Sequence, residues 1–315
     1  MSSRGRDHLT LETFLVERWL PAIADTVRPS TRVSYEGHVK LHIVPSLGRV
    51  RLDRLRPHDL NRLYAERAAA GLSPATIRRI HATLHRALRD AVRWGDATEN
   101  AATGSDPPRM APGGDLATWT PAEGAAFLEA VESDELEALW VVLVMTGMRR
   151  GEALGLTWRD VEASNTCIRH TVVEVGGRIE TSTPKTRRPR RVVALDFVTV
   201  AALVRHHETR ATTGGAFAGD DGEIPRPSVV TRRFQRIVRA AGLPPIRLHD
   251  LRHTHATLAL RAGIHPKIVS ERLGHATVAM TLDVYSHAVP HMQTEAAAQV
   301  AALVVPESRQ RRKPR

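Results

Sequence analysis

Cysteine is almost missing from these 315 residues: Cys167 is the only one. One thiol excludes an internal disulfide and any cysteine-based zinc site, which points to a reducing, cytoplasmic setting. Long apolar runs are missing too. Nothing approaches the roughly 18 consecutive apolar residues that span a bilayer, and the first twenty residues lack a basic segment followed by an apolar one, so neither membrane nor export is expected. Acidic side chains are outnumbered, with 34 Asp and Glu against 45 Lys and Arg, for a net charge of +11. That excess calls for a polyanionic partner. Nucleic acid is the usual one, because its backbone rewards every cation that displaces condensed counterions. On its own, Arg- and Ala-rich composition leaves this an even choice.

The chain is long enough for two domains with real cores, and it shows no internal repeat. Its first hundred residues read as helices alone. Phe14, Leu15, Trp19 and Leu20 form one apolar stripe, Pro29-Ser30-Thr31 starts a second helix, and Leu60, Leu63 and Tyr64 follow a start near Pro57-His58-Asp59. The fourth helix is the clearest. Ser73 caps it, Pro74 suits its first turn, and Ile77, Ile80, Leu84, Leu88 and Ala91 mark its buried face. Arg78, Arg79, Arg86, Arg89 and Arg93 line the others, either as plain solvated surface or as a track for a DNA backbone.

Glycines and prolines between Asn100 and Thr118 predict a linker. Thr120, Pro121 and Glu123 then open a helix, and Leu136 to Met145 predicts a buried one ending at Thr146-Gly147. Strands are expected near Thr166 to Val175, Arg178 to Thr181 and Arg191 to Leu195, with a turn at Gly176-Gly177. Helices resume from Val198. Residues 211 to 227 read as a Gly-, Asp- and Pro-rich loop, and the basic end reads as disordered.

Several groups could work on a phosphate. Arg149 follows the buried helix at the Gly147 turn, and Glu152, three residues on, shares its face and can orient it. Arg252 stands three residues after His249 in His249-Asp250-Leu251-Arg252-His253. Two guanidinium forks from different helices could clamp both nonbridging oxygens, which a lysine would do less well. His275 follows Leu273-Gly274 and could donate to a phosphate oxygen. Tyr285, ten residues later, is a candidate nucleophile whose phenol, with a pKa near ~10, needs cations to become phenolate. Lys185 sits in a basic stretch with Arg187 and Arg188, where it could act as an acid or the stretch could be a localisation signal or nonspecific contact. His249, His253 and His255 also have the spacing of metal ligands, but neighbouring arginines oppose a cation, and no metal is expected.

Taken together, Thr146-Gly147-Met148-Arg149-Arg150-Gly151-Glu152, Pro184-Lys185-Thr186, His249 to Arg252, Leu273-Gly274-His275 and Tyr285 stand in the order found in the tyrosine site-specific recombinases, the phage integrase family, and the chain resembles that family over roughly residues 10 to 300. The resemblance implies a mainly α fold: an all-helical, SAM-like core-binding domain over 8–99, a linker over 100–118, a mixed α+β catalytic domain with a small antiparallel sheet over 119–305, and a basic tail over 306–315. It implies that Arg149, His249, Arg252 and His275 activate the scissile phosphate, that Lys185 is the general acid, and that Tyr285 forms a 3′-phosphotyrosine, with Glu152 in support. No cofactor is implied. The implied partners are double-stranded recombination sites held in a C-shaped clamp by a homotetramer, with a possible excision or DNA-bending factor. Arg32, Lys40, Arg78, Arg79, Arg86, Arg187 and Arg188 are the candidate DNA contacts. The alternatives are a type IB-like topoisomerase, which needs no second duplex, and a DNA-binding regulator that kept the fold and lost catalysis. A metal-dependent transposase fits least, for want of clustered acids.

Two departures from the family pattern stand out. Many phage integrases carry an extra N-terminal domain that binds arm-type sites, and here fewer than ten residues precede the first expected helix, so directional control through arm sites is not expected. The 211–227 segment lacks an apolar strand-like stretch, as a tolerated loop variant or a decayed element would. An Ala-rich stretch from Thr294 to Leu303 suits either docking on a neighbouring protomer or an ordinary intramolecular helix.

Overall fold

The computed structural model describes residues 9–110, 117–182, 191–210, 214–285 and 300–301. The chain divides into two compact units, Met1–Gly114 and Asp115–Arg315, each with its own hydrophobic core. The first is all helical, and the second combines helices with small antiparallel sheets.

The first unit begins with Thr13–Trp19 and Leu20–Ala22. Pro29–His38 follows and continues through Val39–Ile43 and Val44–Leu47, and the unit's long helices are Pro57–Ala69 and Pro74–Trp94. Phe14, Leu15, Trp19 and Leu20 are buried as their spacing predicts, and Trp19 Nε1 donates to Asp90 at 3.0 Å. What the spacing does not reveal is that Thr13–Trp19 and Val39–Ile43 are π-helical. Each lies just ahead of a proline, Pro21 or Pro45. Proline offers no N–H to the carbonyl four residues back and its ring crowds that carbonyl, which favours a wider preceding turn.

In the Pro74–Trp94 helix, Ser73 Oγ accepts from the Thr76 N–H at 3.3 Å, and Ile77, Ile80, Leu84, Leu88 and Ala91 are buried. Loss of such a cap typically costs ~1 kcal/mol. The segment expected to be a linker starts inside this unit. Ala101, Ala102 and Ser105 are buried, Asn100 Nδ2 donates to the His85 carbonyl at 3.0 Å, and the Asp106 N–H donates to Asn61 Oδ1 at 2.8 Å. Irregular backbone here is a strap packed on the helices.

The second unit is organised around Glu137–Thr146. This helix is apolar on nearly every side and is packed by Phe197–Thr209 and Asp250–Arg261. Trp119, Phe127, Trp140 and Phe234 cluster nearby, with ring centroids between 5.1 and 6.3 Å apart, each close pair contributing ~0.5–1.5 kcal/mol beyond its burial. Pro121–Ala130 opens with the expected reciprocal cap between Thr120 and Glu123.

Among the described residues five strands follow: β1 (Val161–Glu162), β2 (Asn165–Ile168), β3 (Thr171–Val175), β4 (Arg178–Ser182) and β5 (Arg191–Ala194). β1, β2 and β5 form one antiparallel sheet, while β3 and β4 form a separate hairpin across Gly176-Gly177. The single run expected from Thr166 to Val175 is therefore two strands in different sheets. β3 leaves the first sheet to pack on Arg150–Leu154, where Gly151 and Gly155 let the carbonyls of Val172 and His170 approach.

The 211–227 segment also differs from its polar reading. Within it Ala216, Phe217 and Ala218 are buried, and the Ala216 N–H donates to the Leu156 carbonyl at 2.8 Å. It plugs the core with three apolar residues, and Pro227 already begins the helix Pro227–Ala240. Pro266–Leu273 and Val278–Tyr285 pack against one another and both contact Asp250–Arg261. The Ala-rich stretch at 294–303 lies outside the described residues except for 300 and 301, and the basic tail lies wholly outside them. Among the described residues no helix is long and apolar enough to cross a membrane.

Candidate active site

The buried helix Glu137–Thr146 ends at Gly147, which has φ +64 and so closes the helix in the left-handed region. A side chain there would also collide, since a Cβ would sit 2.6 Å from Leu273 Cδ2 and 2.9 Å from His255 Cδ2. Two residues later Arg149 caps Arg150–Leu154. Glu152 receives the Arg149 backbone N–H at 2.9 Å and its guanidinium at 2.8 Å.

Arg252 reaches the same place from Asp250–Arg261 and is only 3% exposed. Its Nη1 donates to the Gly147 carbonyl at 2.9 Å and its Nη2 to the Leu273 carbonyl at 2.6 Å. These carbonyls end two different helices, where the backbone carries partial negative charge. A guanidinium has five N–H donors, so it can hold two carbonyls and a phosphate at once. A lysine could not reproduce that planar span.

Two imidazoles join the arginines. His249 precedes the Asp250–Arg261 helix, its ring edge-on to His253 with centroids 5.2 Å apart. His275 follows Gly274, and its Nδ1 lies 2.7 Å from Thr281 Oγ1. Desolvation first, then neighbouring positive groups, push both rings down to about 4. Arg252 and Arg149 act on both, with Arg191 adding to the effect on His275. Both rings are neutral at physiological pH, and each can donate one N–H to an anion.

Some side chains in the site were not among the sequence candidates. Arg191 forks onto Glu152 at 3.0 and 2.7 Å and donates from Nε to the Arg272 carbonyl at 2.9 Å. Burial pushes the Glu152 carboxyl up, but Arg191 and Arg149 more than offset this and hold it at about 2. Its signal lay in strand alternation: Arg191 shares the inward face of β5 with buried Val193, and an inward arginine needs an acceptor. Arg272 donates to the Met145 and Ala194 carbonyls at 3.1 and 2.8 Å and to His255 Nε2 at 3.2 Å. His255 in turn donates from Nδ1 to the Val144 carbonyl at 3.1 Å. That pairing turns His255 into the framework, away from the metal-ligand role its spacing allowed. Among the described residues no group of three or more His, Cys, Asp or Glu is placed to hold a metal ion.

Models of known families match both units. The phage integrase family matches residues 120–291, and the phage integrase N-terminal SAM-like domain matches residues 10–66. This chain belongs to the phage integrase family. A tyrosine recombinase XerC-like protein of Caldanaerobacter subterraneus subsp. tengcongensis is 27% identical, with 90% of this chain and 80% of that protein covered. The fold is shared with the Tn1549 transposon integrase solved with a circular intermediate DNA, at a TM-score of 0.78 and 21% identity, covering 94% of this chain and 100% of the other. It is also shared with the lambda integrase solved as a tetramer bound to a Holliday junction, at 0.69 and 21%, covering 87% and 80%.

Within this integrase-family chain, Arg149, Glu152, His249, Arg252 and His275 are brought together. Tyr285 is the last residue of Val278–Tyr285, the helix that packs on Pro266–Leu273. Lys185, Arg187 and Arg188 lie outside the described residues. The remaining candidate DNA contacts belong to the first unit and differ in their partners and exposure. Arg32 pairs with Glu36 at 3.1 Å, Arg78 donates to the Pro108 carbonyl at 3.4 Å, and Lys40 and Arg79 are exposed. Arg86 differs from the rest of its row. It is half-buried, donates to Tyr35 Oη at 3.1 Å and stacks over that ring at 5.5 Å, so it joins two helices as well as adding charge.

Proposed function

We propose that this chain is a site-specific recombinase that integrates or excises a mobile element by cutting and rejoining DNA. Tyr285, having given its phenolic proton to solvent, attacks the scissile phosphorus as the phenolate, and the bond to the 5′-oxygen breaks. The departing oxygen takes a proton from Lys185, and the 3′ end remains joined to the enzyme as a phosphotyrosine ester. A 5′-hydroxyl from the other duplex then attacks that ester, giving its proton to Lys185, which releases the tyrosine as phenolate and restores a phosphodiester. One ester replaces another at each step, so no nucleotide has to be consumed.

The observation that carries this reading is the convergence of Arg149 and Arg252 on the neutral rings of His249 and His275, ten residues ahead of Tyr285. Two guanidiniums and two imidazole donors suit the extra negative charge of a pentacoordinate phosphorus, and losing one such donor typically costs on the order of 100- to 1,000-fold in rate. Both units would grip the duplex, the first through exposed cations such as Lys40 and Arg79, and four protomers would act on two recombination sites.

Covalent trapping tests the proposal. Nicked duplexes carrying candidate attachment sites are incubated in EDTA with wild type or Tyr285→Phe and run on denaturing gels. An adduct with wild type alone is expected. Tight binding to a validated site without an adduct from either protein would favour a DNA-binding regulator. Relaxation of supercoils without exchange between duplexes would favour a topoisomerase.

A further inference from the structure

His275 and His255 have different partners at Nδ1. His255 Nδ1 faces the Val144 carbonyl, which can only accept, so that nitrogen carries the proton while Nε2 accepts from Arg272. At His275 the partner of Nδ1 is the Thr281 hydroxyl, 2.7 Å away, and a hydroxyl can donate. Thr281 is fully buried. It stands one helical turn before Tyr285 in Val278–Tyr285.

We propose that Thr281 is a positioning residue: its hydroxyl donates to His275 Nδ1, fixes the ring with its proton on Nε2, and ties the Tyr285 helix to the phosphate-binding groups. A phosphodiester offers only acceptors, so a neutral histidine can serve it only through an N–H. With Nδ1 held by Thr281, that N–H is on Nε2, on a ring that already lies in the field of Arg149 and Arg252. The same bond sets the register of the helix, because His275 precedes it and Thr281 lies inside it. The chemical meaning of the assignment rests on the recombinase reading. Its geometry does not.

The test uses the full chain with nitrogen-15-labelled histidine, and His275→Gln to assign the ring signal. Spectra recorded with a duplex bound are expected to show His275 protonated on Nε2 in wild type and Thr281→Ser, and a mixture of tautomers in Thr281→Val. The adduct rate on nicked duplexes should fall on the order of 10- to 100-fold in Thr281→Val, the range for partners that orient functional histidines. Thr281→Ser should stay within about threefold of wild type, since it keeps the donor. DNA affinity should hold in both variants. A wild-type tautomer in Thr281→Val overturns the proposal even if its rate falls, as does a serine variant that loses the ring state. If the tautomer switches as expected but wild type forms no adduct, the positioning assignment stands and the recombinase reading falls.

Discussion

Glu152→Gln is expected to loosen Arg149 and Arg191 from their frame. The carboxylate is 3% exposed and accepts Arg191 through bonds of 3.0 and 2.7 Å and Arg149 through one of 2.8 Å. Burial raises its pKa, yet the guanidiniums bring it from 4.5 to about 2. A fall of that size corresponds to ~3 kcal/mol of stabilisation at neutral pH. Removing one partner of a buried pair typically costs ~3–5 kcal/mol, because the other charge stays buried. We expect ~3 kcal/mol lost in the variant. Since the folded pKa lies below the unfolded one, the contribution is complete above pH 4.5 and declines as pH falls towards 2. The gap between wild type and variant should therefore shrink by roughly half by about pH 3. At neutral pH, hydrogen exchange at the amides of Glu137–Thr146 reports the opening free energy of the second unit, and urea melts extend the comparison to acid. A loss under ~1 kcal/mol at neutral pH, or a gap that does not change with acid, would refute this pairing scheme.

Arg252→Lys should lower the adduct rate on the order of 100- to 1,000-fold while gel-shift affinity changes little, because an ammonium cannot span the Gly147 and Leu273 carbonyls and a phosphate together. An adduct rate within tenfold of wild type would show that charge alone suffices. Gly147→Ala combines a left-handed φ of +64 with a Cβ 2.6 Å from Leu273, and urea denaturation should show a loss on the order of 2–4 kcal/mol. Gly176→Ala is the control: its φ is +56 but nothing lies within 4 Å of the added carbon, so only ~1 kcal/mol is expected. Equal losses at the two glycines would remove the packing argument. Lys185→Ala should be slow on an ordinary nicked duplex and recover when the 5′-bridging oxygen is replaced by sulfur, since a thiolate leaves without an acid. Absence of recovery in cleavage assays would take the proton-donor role from Lys185.

What could be read from the sequence was what depends on neighbours in the chain. Ser73 with Pro74, and Thr120 with Glu123, announce helix starts within four residues, and Arg149 with Glu152 does the same inside the site. The π turns ahead of Pro21 and Pro45 depend on helix continuation past a proline, which apolar spacing does not encode. The split of the run at Thr166 depends on where β3 finds Arg150–Leu154, and the plug at Ala216 to Ala218 is too short for any periodicity. Arg191, Arg272 and Thr281 escaped because their roles are defined by partners. Glu152 is 39 residues from Arg191, and the Met145 carbonyl is 127 from Arg272. The Thr281 partner is only six residues away, but a buried threonine in a helix is ordinary until its hydroxyl is seen against a ring nitrogen.

The same long-range pairs fix the guanidiniums of the pocket in place. Arg149 and Arg191 share one carboxylate, Glu152, while Arg252 donates to the Gly147 and Leu273 carbonyls and Arg272 to the Met145 and Ala194 carbonyls. Desolvation first, and then Arg252 and Arg149, keep the rings of His249 and His275 neutral beside these cations. Carbonyls at helix ends hold the cations in place without cancelling them, which leaves the positive field directed at whatever enters. In the proposed reaction a phosphodiester brings negative charge into this field, and the pentacoordinate state that follows brings one more. Because the donors are fixed by the frame before DNA arrives, little reorganisation is left for the reacting step, and that is the condition under which such donors favour the transition state over the ground state.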